Sequence, residues 1–480
     1  MRKTYKVIFF TTFLSIAFSV EQPKSINATK TWVNRNGHKI IKDFVKLLSI
    51  PNVASDTVNI RKNAEYISSL FEKRNFKMKL LELEKANPII YGELKTPGAK
   101  RTLCFYVHYD GQPVNESKWA HEPFKPILYD GPIDAGGKPI RIPKNNNDID
   151  PEWRLYARSA GDDKAPILTI LNAIDALKSS KIGITSNIKI FFEGEEEAGS
   201  TNLKAHLSNH RDILDDIDIW LFCDGPMHQS RQPQLVFGVR GVTGMEITVY
   251  GAARSLHSGH YGNWAPVPGQ IIANLISSMK DENGKVLVNG FYDTVEPLSE
   301  FERLELSKIP DVDQQLKKEL GLVYTEGEGR SINERLLLPS LTIKGLSSGN
   351  VGKKARNVIP NSATAAIGVR LVKGNDPEDM LDKIEAHIKS QGFHIVYETP
   401  DLNTRRNYSK IVRVDRRGSG YIASRTSMED PNAKSIINAV KEYIGDDLIL
   451  MPALGGSLPL YLFTDYLKKP AIIIPIANHD

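Results

Sequence analysis

The sequence predicts an α/β protein: a mostly parallel sheet with helices on both faces, interrupted by an inserted α+β domain. Three observations lead there. Short continuous apolar runs at 102–107 (TLCFYV), 187–192 (NIKIFF), 217–223 (IDIWLFC) and 471–476 (AIIIPI) have the length and β-branched or aromatic content of strands buried on both faces. Segments with helical spacing stand between them, which is the alternation of a parallel sheet with crossover helices. Across the middle of the chain the pattern becomes apolar–polar alternation, at 242–250 (VTGMEITVY) and 365–372 (AAIGVRLV), as in a sheet with one solvated face. The division is therefore 30–238 plus 426–480 for the discontinuous first domain and 239–425 for the insertion.

In chain order, 1–19 reads as a signal peptide. Arg2, Lys3 and Lys6 precede the apolar run 7–18, and Ala17 and Ser19 have the small-residue spacing of a cleavage site. The run is shorter than the ~20 residues of a membrane span. The expectation is export, to the periplasm or the exterior, with no membrane attachment after cleavage. Helical periodicity follows at 32–49 and 62–76. Residues 113–153, rich in Pro, Gly and Asn, read as a long loop of functional type. Asp162 or Asp163 is the expected cap of a helix that buries Ile167, Ile170, Leu171, Ile174 and Leu177. Further helices are expected at 376–390, with Pro377 in the first turn, and at 433–444.

Length and composition fit a large soluble globular protein: 480 residues, 41% hydrophobic, 25% charged and 8% aromatic. The formal charge is +5, of which Arg2, Lys3 and Lys6 supply three. So small a surplus is no evidence for nucleic-acid binding, which wants a concentrated basic face. The two cysteines, Cys104 and Cys223, fall in buried runs and read as free thiols. They cannot make a Cys-rich zinc site, so any metal must be held by His, Asp and Glu.

Ligands of open α/β sheets bind beyond the carboxyl ends of the strands. There the sequence places His108 and Asp110, then Glu193 to Glu197, then Asp224, with Asp162 and Asp163 in a turn before a helix. Each feature alone is ordinary. Together, so many carboxylates at one edge repel one another unless a cation neutralises them. One histidine with several carboxylates suits zinc, or manganese or cobalt. A pair of ions needs a shared carboxylate, for which Asp162 is the candidate.

The motifs YVHYDGQPV, YARSAGDDKAP, FFEGEEEAGS, LFCDGP, SLHSGHYGN, ARNVIP with VRLV, and GGSLP resemble the di-zinc exopeptidases, the family of carnosinases, non-specific dipeptidases and aminoacylases. The resemblance runs from about Trp32 onward and is strongest to the dipeptidase branch. It implies a phosphorylase/hydrolase-like catalytic domain and an inserted lid or dimerisation domain. It also implies two divalent ions per subunit: His108, Asp162 and Asp224 on one, Asp162 and Glu197 on the other. Glu196 would be the general base and Asp110 would orient His108. His257 would reach the partner subunit's site in a homodimer. Arg370 would pair with the substrate carboxylate, and Asn357, Gly456 and Ser457 would line the pocket. The implied reaction is hydrolysis of the peptide bond of dipeptides or short peptides by a zinc-activated water, with N-acyl amino acid deacylation or non-catalytic metal binding as alternatives. The family's last histidine ligand precedes an Asn-Glu pair. The sequence ends IANHD, so His479 is not expected to be that ligand, and the chain reads as truncated with its second metal site incomplete.

Overall fold

The computed structural model describes residues 24–476 except 147, 148, 328, 417 and 419. An eight-stranded mixed sheet dominates the first domain. Its centre is four parallel strands side by side: Asn187–Glu193, Thr102–His108, Ile219–Phe222 and Ala471–Ile473. These are the continuous apolar runs of the sequence, and they are buried on both faces as such runs require. Antiparallel strands Lys77–Leu81 and Ile89–Leu94 extend one side, and Gln234–Val236 with Ile449–Met451 the other. The sheet is thus mixed rather than purely parallel.

Helix Lys24–Leu48 lies over helix Lys164–Ser179, tied by the Trp32 indole N–H to Asn172 Oδ1 (2.9 Å). The helix expected at 62–76 runs instead over Thr57–Glu72. Asp56 sets its start by accepting from Asn59 N–H (3.1 Å), and Asn75 with φ of +71° marks the turn out. The expected loop at 113–153 is partly a small antiparallel sheet, Ile127–Tyr129 between Pro139–Ile140 and Arg154–Tyr156. Its strands are too short to show a period in the sequence, and Tyr129 packs edge-on against Tyr156 across them. Both cysteines are free and buried.

A two-stranded ribbon, Gly238–Val239 with Ser424–Arg425, stands where the chain leaves and re-enters the large sheet. Between them a five-stranded sheet is built on Gly241–Tyr250 and Ser362–Leu371. The second of these buries alternate residues, as its pattern requires. Helix Pro377–Ser390 covers the apolar face with Met380, Leu381, Ile384 and Ile388, and Asp376 caps it through Glu378 and Asp379 N–H. Helix Pro431–Ile444 returns to the first domain and packs Ala433 and Ile437 on Ile219 and Leu221. No helix among the described residues is long and apolar enough to cross a membrane.

Candidate metal centre

Because three central strands run parallel, their carboxyl ends deliver neighbouring segments to one edge. His108 ends one strand and is in register with Glu193, the end of the next. Asp224 follows the third by two residues. His108, Asp163 and Asp224 form a buried cluster whose ligand atoms lie within 4.8 Å of one another. Asp162 Oδ1 faces His108 Nε2 at 2.7 Å, and Asp162 itself is exposed. It also lies close enough to Glu197 to raise that carboxyl, after burial the largest influence on it.

Asp162 or Asp163 is the expected cap of the following helix. Asp163 stands at the cap position but makes no side-chain cap bond; its Oδ2 instead accepts the His108 backbone N–H (3.2 Å). The carboxylate has been turned from the helix to the site, and Asp163 joins the cluster that the sequence reading built on Asp162.

Asp110 is fully buried and links two segments. Its Oδ1 lies 3.4 Å from His108 Nδ1, leaving Nε2 to face the carboxylates. Its two oxygens accept the backbone N–H groups of Glu196 and Glu197, each at 3.1 Å. One carboxylate therefore orients the histidine and fixes the Glu196–Ala198 turn. Gln112 donates to Glu197 Oε2 (2.5 Å).

The electrostatics match a cation site. Burial, together with neighbouring carboxylates, raises Asp163, Asp224 and Glu197. Burial pushes Glu196 up to about 8 and Glu193 up to about 7. Burial opposes protonation of His108, but Asp110 and Asp162 outweigh it and hold the imidazole well above its usual range. Crowded buried carboxylates around one oriented imidazole fit a divalent ion by donor type and charge.

These shifts carry a stability prediction. The folded values of Glu193 and Glu196 lie above the ordinary 4.5, so their contribution is fully present below that value and is lost as pH rises through about 7 to about 8. The melting temperature of the metal-free chain should fall between about pH 5 and about pH 8 and level off above, and divalent metal should flatten the decline because it binds the deprotonated groups. Scanning calorimetry with chelator and with zinc measures both; a metal-free profile that is flat or rising across this window would contradict the assignment.

The second group of expected residues lies on other elements. Arg370, on strand Ser362–Leu371, donates to Ser457 Oγ (2.6 Å), joining the inserted domain to the loop after Ile449–Met451. Gly456 O in that loop accepts from Arg240 N–H (3.1 Å). Tyr421, which sequence reasoning missed, adjoins both Ser457 and Arg370 and stacks on Tyr461 with ring centres 5.6 Å apart. His257 and Asn357 come together elsewhere, on the ribbon Leu256–His257 with Val358–Ile359, where Ser258 N–H donates to Asn357 O (3.0 Å). His257 is exposed there, and its Nδ1 accepts from Gly259 N–H. His479 and the end of the chain lie outside the described residues.

A sheet edge that presents an oriented histidine and buried carboxylates, with a second sheet domain inserted beside it, is by donor type compatible with a divalent-metal site. Residues 237–395 match the peptidase dimerisation domain family, M20_dimer. The chain is 24% identical over 467 residues to the Cys-Gly metallodipeptidase of Schizosaccharomyces pombe, covering 93% of this chain and 90% of that protein. It is 25% identical over 403 residues to the human Beta-Ala-His dipeptidase, covering 82% and 72%. A solved M20 family metallo-carboxypeptidase from Sulfolobus solfataricus superposes with a TM-score of 0.68 at 27% identity, covering 91% and 90%. Over most of its length the chain is thus similar to metallodipeptidases and to an M20 metallo-carboxypeptidase, in line with the resemblance carried by its motifs.

The expectation of export is corrected by the same comparisons. Yeast Cys-Gly metallodipeptidases and Beta-Ala-His dipeptidases, to which the chain is similar, are mostly cytosolic. The segment 1–19 read as a signal peptide lies outside the described residues.

Proposed function

We propose that the chain hydrolyses the peptide bond of dipeptides or short peptides with divalent metal, zinc by donor type, held by His108, Asp224 and the Asp162–Asp163 pair. The observation that carries this reading is the junction of three parallel strand ends at which Asp110 orients His108 and anchors the Glu196–Ala198 turn. Asp162, between His108 Nε2 and Glu197, is the carboxylate suited to sharing two ions. When bound, divalent ions polarise the substrate carbonyl and lower the pKa of water.

The rest is work for the chain's own groups. Glu196 takes the proton of the attacking water and returns it to the leaving amine. Arg370, steadied by Ser457, pairs with the substrate's terminal carboxylate through its planar fork. Gly456 and Tyr421 adjoin that position. The exposed ribbon of His257 and Asn357 belongs to a homodimer, in which His257 of the partner subunit donates to the oxyanion.

A panel of free dipeptides and N-acyl amino acids, assayed with zinc, manganese and cobalt and with chelator, tests the reading. Metal-dependent cleavage of the dipeptides is expected. Cleavage of the N-acyl amino acids alone would assign a deacylase, and no turnover with any metal would overturn the hydrolytic reading.

A further inference from the structure

We propose that a second site beside the Arg370–Ser457 position binds a small organic acid, a carboxylate on a short apolar stem. A cavity of about 310 Å³ lies in the inserted domain, lined by Arg240, Lys317, Arg330 and Arg335 and by leucines that include Leu316 and Leu336. Its size falls at the lower end of the roughly 300–1,000 Å³ of small-molecule sites, and so does its plan: mostly apolar walls with a few placed polar groups.

The charges are unbalanced. Against four cations stand Asp313 and Glu326 among the described lining residues. Glu326 is already paired with Lys280 (2.6 Å), and Asp313 accepts the Ile332 N–H. No carboxylate pairs with Arg240, Arg330 or Arg335 among the described residues.

Arg240 makes the case specific. It is 6% exposed. One terminal nitrogen donates to Leu338 O (2.7 Å) and Ser340 Oγ (3.1 Å), while its buried Nε has no partner. A guanidinium held this rigidly in the wall, with Lys317, Arg330 and Arg335 around the same cavity, leaves a surplus of positive charge that favours an anion. Burial and then the nearby Arg370 charge lower it, to about 10, and a bound carboxylate would offset that charge.

The cavity adjoins the substrate position. Arg240 N–H holds Gly456 O, and Leu336 packs so closely on Gly455 that a Cβ there would lie 2.9 Å from it. Ser340, which takes the Arg240 guanidinium, is in register with Arg370 on the neighbouring strand. The acid could therefore be the side chain of a peptide substrate's C-terminal residue or a separate free acid. Only the first source rests on the hydrolytic reading.

The test uses the full chain and 4-methylpentanoate as probe, with 4-methylpentanamide and inorganic phosphate as controls. Calorimetric titration should show saturable binding of the acid, with both controls at least on the order of tenfold weaker. Arg335→Met and Arg330→Met should each weaken it by on the order of tenfold; these residues are on the cavity rim, so folding is retained where Arg240→Met could fail. No saturable binding, equal binding of the amide, or unchanged binding in both variants would overturn the proposal.

Kinetics separate the two sources. If the acid is the substrate's, Arg335→Met raises KM for Ala-Glu with kcat kept, leaves Ala-Gln unchanged, and 4-methylpentanoate competes with Ala-Glu. If it is a separate ligand, 4-methylpentanoate alters turnover of both dipeptides alike without competing. Absence of all dipeptide turnover would sink the hydrolytic reading and leave the binding result standing.

Discussion

Glu196→Gln is expected to lower dipeptide turnover by about 10²–10⁴-fold, the usual worth of a general base, while metal uptake is unchanged. Gln keeps the shape of the side chain and removes its titratable proton acceptor. The turn that carries it should not move, because it is fixed by the backbone N–H of residues 196 and 197 on Asp110 rather than by the Glu196 side chain. Glu196 also stands outside the cluster of His108, Asp163 and Asp224, so the ion should still find its donors. Burial lifts the Glu196 carboxyl to about 8, with His108 drawing it down and Asp224 and Glu193 pushing it up, which places it in the range where a group can both accept and return a proton near neutral pH. Initial rates together with elemental analysis of bound metal provide the check. A Gln variant that keeps more than about a tenth of the rate, fully loaded, would move the base elsewhere.

How much of this site was legible in the sequence depends on whether its cause was local. His108, the Glu run and Asp224 could be read because each follows an apolar run of strand length, and the ends of parallel strands meet at one edge. Arg370 and Ser457 came from motif resemblance, and the structure joins them by a hydrogen bond across 87 residues. Asp163 was legible as a helix cap and only the fold shows its carboxylate on His108 N–H instead. Glu193 is legible only as the first of the Glu run after the strand; the structure makes it the last strand residue, buried and accepting the Tyr106 hydroxyl at 2.5 Å. Tyr421 and Arg240 carry no local signal at all. Their places follow from the ribbon that reconnects the two sheets and from a cavity assembled from residues up to a hundred positions away. The same limit hid the small sheet in 113–153, whose strands are two or three residues long.

Mixing Glu196→Gln chains with His257→Ala chains should restore activity that neither variant shows alone. The argument begins from the ribbon Leu256–His257, on which His257 is exposed and contacts Gly259 and His260 rather than His108, Asp224 or Glu196. The ribbon belongs to the segment that matches the peptidase dimerisation domain, 237–395. A symmetric pair would place each His257 toward the other chain, since an isologous interface exchanges the same patch between subunits. Removing one donor to a developing oxyanion typically lowers kcat by about 10²–10³-fold, so each parent variant should be nearly silent. In a mixed dimer one site receives an intact His257 and holds an intact Glu196, while the other has neither. Random exchange of equal amounts makes half the dimers mixed, so about a quarter of the wild-type sites should recover. The chains must be shown to exchange, for instance by differential tagging and co-purification, before the rates are compared. No recovery after proven exchange would mean that His257 serves the site of its own chain or takes no part, and the dimeric reading of the active unit would fall with it.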